Sequence, residues 1–193
     1  MQASMPNTSS EITRELKRKS LHLPGLLVPI LYQQLPVLTL AGLILMSLLY
    51  YASELRRIAK RPPLPVIGYF TSRLTRSAHL DFAPMYLAIG LGLISVLFSL
   101  KEALAGALLV CLCDSLAAVV GMKFGRKNIF LTKKTYLGSL TFLMTALIVL
   151  TPWLGIKSAL SIAVLSALIE AFSIEGIDNL LLPIVGALLA HYF

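Results

Sequence analysis

The stretch LAGALLVCLCDSLAAVV, residues 104–120, decides the fold class. Without Asp114 it is an unbroken run of apolar and small side chains. Its length is that of a helix crossing a bilayer, about 17–25 residues. Asp114 lies in the middle of it, where an ionisable group is costly unless it lines a polar cavity or has a partner. The sequence therefore describes a membrane helix that carries a working carboxylate. Three more acids stand inside or at the edges of apolar runs: Glu54, Glu170 and Asp178.

The rest of the chain agrees with that helix. Of its 193 residues 57% are hydrophobic and only 13% charged, with a mean hydropathy of +0.82. Soluble domains carry about 25% charged residues, so a soluble globular fold is excluded. The length suits one integral membrane domain over residues 1–193. Seven spans are expected in this all-α chain, at about 20–33, 36–52, 83–99, 103–121, 137–153, 156–173 and 177–193. The first is short and carries Pro24 and Pro29, so a kink or partial insertion is expected there. Cys111 and Cys113, two apart on one helix, read as small apolar fillers, and no removable signal peptide is expected at the N-terminus.

Loop charge sets the orientation. The N-terminal segment 1–19 and the loops 53–82 and 122–136 hold 15 of the 17 Lys and Arg residues; Lys101 and Lys157 are the others. With seven spans these segments share one side, which places the N-terminus in the cytoplasm. The apolar and aromatic residues beside Arg73 and Arg76 in loop 53–82 suit either an interfacial segment or a solvated connector. Trp153 and Tyr192 read as interface anchors on the outer side, where Lys101, Glu102 and His191 are expected to be solvated or incidental, as is His79 on a loop.

This topology gathers Asp114, Glu170, Asp178 and Glu54 into the cytoplasmic third of the membrane, beneath the basic segments. Carboxylates below and cations above suit a metal–polyphosphate site, because Mg²⁺ takes one or two carboxylates plus phosphate oxygens and Lys or Arg neutralises the rest. Ala117, Gly121 and Gly125 follow Asp114 on one helical stripe. Such a stripe ordinarily lets another helix pack closely, and it equally lets a phosphate approach the backbone. The following loop, GRKNIFLTKKTYLGS (125–139), brings Lys133, Lys134, Thr135 and Ser139 to the start of a span, an anion-favouring helix N-terminus. His22, after Arg18 and Lys19, suits either a structural role or contact with phosphate.

Residues 114–138 read D-x-x-A-x-x-x-G-x-x-x-G, seven residues, then K-K-T-x-x-G. This resembles the CTP-binding signature of the dolichol kinase family, whose relatives include phytol kinases and a CTP-dependent diacylglycerol kinase. The opening ELKRKSLHL (15–23), the SELRR segment with Glu54 and Arg56, and Glu170 followed by IDNLLLP (177–183) stand in the same order as in that family. Cys113 stands where many members have Gly, and Leu137 where dolichol kinases tend to have Glu. The resemblance implies a Mg²⁺-dependent transfer of phosphate from CTP to a membrane isoprenoid alcohol. It implies catalytic or metal-binding roles for Asp114, Glu170 and Asp178. It further implies nucleotide-site roles for Gly121, Gly125, Lys133, Lys134, Thr135, Gly138 and Asn179, with Arg18, His22, Glu54 and Arg56 beside them.

The same parts would serve a cytidylyltransferase joining CMP to a lipid phosphate, and buried acids could also form the path of a small ion-coupled transporter. No paired broken helices of the kind transporters repeat are present in the sequence. The partners expected are CTP, a lipid alcohol and the bilayer, with no nucleic acid, in a prokaryotic cell membrane.

Overall fold

The computed structural model describes residues 9–65, 67–68, 80–129, 132, 134–174 and 176–193; among these the regular structure is helical, joined by turns and loops, with one isolated bridge between Asn128 and Thr135. An N-terminal helix α1 (Ser9–Ser20) leads through a 3₁₀ segment, Leu23–Leu27, into the short α2 (Val28–Gln34). Pro24 and Pro29 each open one of these short pieces, where a missing N–H does no harm. The expected first span is thus broken into two short helical pieces. Then come α3 (Pro36–Ile58), α4 (Ala83–Leu97), α5 (Leu100–Leu108), α6 (Asp114–Phe124), α7 (Tyr136–Phe172) and α8 (Asp178–Tyr192).

Among the described residues three stretches are long and apolar enough to cross a membrane: α3, the continuous unit Leu100–Phe124 and α7; α4 is apolar but shorter. The unit Leu100–Phe124 is the axis of the bundle. Ala103, Ala105, Ala107, Leu109, Val110, Cys111, Cys113 and Ala117 on it are all buried, and α8, α7 and the N-terminal segments pack around it. Both cysteines are free thiols buried in this core. By contrast α3 presents Val37, Leu38, Ile44 and Leu48 outward, the surface that lipid would cover.

Two local features set where the polar groups go. The first is Gly155, whose φ of 76° and ψ of 161° interrupt α7. Were α7 a straight rod, residues 139 and 170 would lie about 46 Å apart at 1.5 Å per residue. Instead Ser139 Oγ donates to Glu170 Oε2 at 2.7 Å. The chain therefore reverses at Gly155, and α7 is a hairpin of two arms, 136–154 and 156–172, in line with the break expected between two apolar runs there.

The second is a π-helical turn, Leu109–Cys113, inserted between α5 and α6 immediately before Asp114. Eight residues beyond Gly106, Asp114 would point about 80° away from it in a regular helix, and the inserted residue turns it back by about 100°. Gly106 faces α8 so closely that a Cβ there would lie 2.2 Å from the Pro183 carbonyl oxygen. The π turn thus swings Asp114 toward the helix that begins with Asp178.

At the opposite end of the bundle Glu102 does more than meet solvent. It accepts from Ser99 N at 2.7 Å in a capping box and lies 2.9 Å from His191 Nδ1. Ser158 Oγ donates to the Phe193 carbonyl at that same end, tying the second arm of α7 to the end of α8.

Candidate active site

Four segments deliver charge to one point. Asp114 opens α6 and is wholly buried. Glu170 ends the second arm of α7, Asp178 opens α8, and Lys134 arrives on the loop between α6 and α7. The Lys134 ammonium donates to Asp178 Oδ2 at 2.8 Å and lies 2.9 Å from Glu170 Oε1 and 3.4 Å from Asp114 Oδ1. One cation is shared by three carboxylates from three helices. Burial works to lower the Lys134 pKa, but Asp114, Asp178 and Glu170 together outweigh it and hold the ammonium above its ordinary range.

The loop is shaped to present that lysine. Ile129 N donates to the Lys134 carbonyl at 2.8 Å, Tyr136 N to the Lys127 carbonyl at 3.2 Å, and Lys134 N to Thr132 Oγ1 at 3.3 Å. The next residue, Thr135, caps α7 by accepting from Gly138 N at 3.1 Å. Here the glycine stripe has its use. A Cβ at Gly121 would come 2.7 Å from Thr135 Oγ1, one at Gly125 2.6 Å from the same oxygen, and one at Gly138 2.9 Å from the Ala117 carbonyl. Gly121, Gly125 and Gly138 are where α6 and the start of α7 touch; the close approach seats the Thr135 cap and so the lysine before it.

The remaining lone pairs are largely taken. Asp178 Oδ1 accepts from Gly176 N and Asn179 N, both at 3.1 Å, and Glu170 Oε2 accepts from Ser139 Oγ. Asn179 Nδ2 donates 3.1 Å to the Ala83 carbonyl, pinning the start of α8 to the start of α4, while its Oδ1 is buried without a hydrogen bond.

Lys19 is the residue that sequence reasoning passed over. From α1 its ammonium bonds Asp114 Oδ2, and the pair is almost completely buried. Glu15 and Lys19, four apart, form the buried face of α1. Glu15 holds Arg18 through contacts of 2.8 and 3.1 Å. The signal was present: a carboxylate as deep as Asp114 requires a cation, and Lys19 belongs to the basic run that precedes the first apolar segment. Ser139, noted only as part of the loop, is the other addition.

His22 is buried one turn after Lys19, and its Nδ1 has no hydrogen-bond partner. Glu54 is buried and holds Arg57 through contacts of 2.9 and 2.7 Å; it also accepts from Asp81 N at 3.2 Å. Arg56 instead donates to the Pro62 carbonyl at 2.9 Å. This second cluster adjoins the first through Arg18, which feels the charge of both Asp114 and Asp81. Lys133, Arg73, Arg76 and His79 lie outside the described residues.

The arrangement sets one lysine, chemistry suited to a polyanion, among three hard-oxygen carboxylates. Among the described residues no three His, Cys, Asp or Glu side chains are grouped to hold a metal directly; the carboxylates meet through Lys134.

No protein-family model matches the chain, and no solved structure matches it. The chain is similar to the phytol kinase of Synechocystis sp. (strain ATCC 27184 / PCC 6803 / Kazusa), with 32% identity over 125 residues. The match takes in 57% of this chain and 54% of that protein, so the chain spans about half the length of the relative it matches.

Proposed function

We propose that this chain is a CTP-dependent kinase of a membrane alcohol, a phytol or polyprenol type of isoprenoid, working at the cytoplasmic face of a seven-span bundle with Mg²⁺. The observation that carries the reading is the convergence of Asp114, Glu170 and Asp178 on Lys134, the lysine of the K-K-T segment. The phytol kinase likeness supports the lipid-alcohol class.

Phosphoryl transfer asks mainly for positioning and for charge stabilisation. Lys134 is the cation for the phosphates, delivered from the polar end of the bundle. Asp114, Glu170 and Asp178 have the hard-oxygen chemistry that suits Mg²⁺, and the Asn179 Oδ1 without a partner is a further oxygen of the same kind. When bound, the ion would offset phosphate charge. Asp178 is the better candidate to accept the hydroxyl proton. Among the described residues its Oδ2 is held by Lys134 alone and is released when that lysine turns to phosphate, whereas Asp114 keeps Lys19. The alcohol enters from the bilayer with its hydroxyl at headgroup depth and its tail along exposed helix faces.

The test uses purified protein in lipid with Mg²⁺, isoprenoid alcohols, diacylglycerol and phosphatidate, and CTP labelled at either the γ or the α phosphate. The kinase reading expects γ label on an isoprenoid alcohol. Label from the α position would make the protein a cytidylyltransferase, and no transfer from either position would remove both readings.

A further inference from the structure

Helix α1 turns one face to the bundle and another away from it. Glu15 and Lys19 form the buried face, and Lys19 bonds Asp114. In a regular helix the mean direction of Leu16 and Lys17 lies about 130° round from that of Glu15 and Lys19. Both of these outward residues are exposed, Leu16 at 52%. We propose that this outward side of α1 is a docking surface for anionic phospholipid headgroups. Leu16 enters the boundary of the acyl chains, while Lys17 and Arg14 meet the headgroup charge.

The apolar edge is more than one leucine. Leu21, Leu23 and Leu27 are exposed as well, and the last two bound the 3₁₀ segment within the expected first span. A track of leucines therefore runs from the segment expected in the bilayer onto α1. Leaving such a track in water is unfavourable, and lipid covers it.

The basic edge lies beside the track. Lys17 stands about 100° round the helix from Leu16, and Arg14 about 60° further in the same sense. Among the described residues neither has an ion-pair partner, whereas Arg18 is held by Glu15 and Lys19 by Asp114. Cations beside exposed apolar side chains make a membrane-surface helix, and each Lys or Arg there is drawn to an anionic leaflet. Helix α6, which packs against α1, repeats the combination at its end: Phe124 is exposed and the Lys123 ammonium stands 5.1 Å from its ring centroid. An acidic protein would suit the cations, but the leucines beside them continue into the bilayer segment. Anionic lipid suits both. Seated so, α1 is held between headgroups on one side and the Lys19–Asp114 pair on the other, and lipid charge bears on the helix that delivers Lys19.

The test uses the full chain with Trp153→Phe and Leu16→Trp, which puts the one indole on the outward edge of α1. Nanodiscs hold phosphatidylcholine and phosphatidylglycerol in one fixed ratio. Acyl chains brominated near the glycerol, which quench indole fluorescence on contact, are carried by the phosphatidylglycerol or by an equal mole fraction of the phosphatidylcholine. Quenching by the anionic lipid is expected to be at least about twofold the stronger. The excess should vanish with Arg14→Gln and Lys17→Gln together, or when salt shortens the Debye length to about 3 Å. Equal quenching by the two lipids overturns the proposal, as does an excess that survives the double substitution. Quenching by neither lipid also overturns it and leaves the surface to a protein or a second copy. Should the reporter variant not fold, native mass spectrometry decides: Arg14→Gln with Lys17→Gln must lower the phosphatidylglycerol retained by the protein, and an unchanged amount overturns the proposal. Neither readout needs turnover, so the result stands apart from the kinase reading.

Discussion

Replacing Lys19 by Met tests the most consequential pair in the molecule. The substitution keeps the length and apolar stem of the side chain and removes only the ammonium that bonds Asp114. Breaking a buried ion pair from one side typically costs about 3–5 kcal/mol, because a charge is left buried without its partner. Asp114 keeps Lys134 at 3.4 Å, a longer and more exposed contact, so the expected loss sits at the lower end, about 3 kcal/mol. Removing Asp114 as well, as Lys19→Met with Asp114→Asn, takes away the orphaned charge. The double variant should then be more stable than the sum of the two losses by about 2 kcal/mol. Stability is read from loss of far-ultraviolet circular dichroism as sodium dodecyl sulfate is added to mixed micelles, and activity from γ-label transfer. The double variant should therefore unfold at a higher detergent fraction than the summed losses predict, while activity stays lost. If Lys19→Met unfolds at the same detergent fraction as the unaltered protein, or if the two losses simply add, the buried pair does not anchor α1 and the reasoning fails.

Other substitutions probe the remaining geometry. Gly121→Leu should lower γ-label transfer at least about tenfold by pushing α6 off the Thr135 cap, with overpacking of about 1–3 kcal/mol. Gly42→Ala, where a Cβ meets nothing within 4 Å, should leave activity unchanged and raise detergent resistance slightly. At Gly155 there is also open space, so Gly155→Ala isolates backbone strain at φ 76°; it should destabilise by about 1–2 kcal/mol in the same unfolding assay. Ser139→Ala leaves Glu170 Oε2 without its donor and should lower stability by about 1–2 kcal/mol, a loss that Ser139→Thr largely restores.

Much of this fold was readable because lipid imposes long apolar runs. The break in α7 falls between the two runs expected at 137–153 and 156–173, and Pro152 and Gly155 mark it in the sequence. Gathering of Asp114, Glu170 and Asp178 followed from the expected sidedness, since each lies within about two turns of one end of an apolar run, and those ends share a side. Pairings were harder. Helical spacing favours Arg57 over Arg56 as the partner of Glu54, because residues three apart share a face and residues two apart do not. The SELRR likeness singles out Arg56, whereas the arginine that pairs with Glu54 is Arg57. Lys19 and Asp114 are 95 positions apart, and no local rule joins them. The π turn has no signature in LVCLC, yet without its extra residue Asp114 would point elsewhere.

That last point explains why the charges matter to the fold as well as to the chemistry. Apolar helix faces in lipid gain little from choosing one neighbour over another, since lipid tails are as apolar as leucine. Small residues let α5 meet α8 at Gly106 and α6 meet α7 at Gly121 and Gly138, but they permit contact without dictating its rotation. Asp114 dictates it. Only one rotation of α6 brings its carboxylate to Lys19 on one side and Lys134 on the other, and only a reversed α7 brings Glu170 to that same lysine. Each mismatch would leave an unpaired charge in a low-dielectric interior, a penalty larger than any packing preference between these helices. The residues proposed to perform phosphoryl transfer are thus also those that select the bundle's arrangement, and the site is complete only when α1, α6, α7 and α8 are all in place.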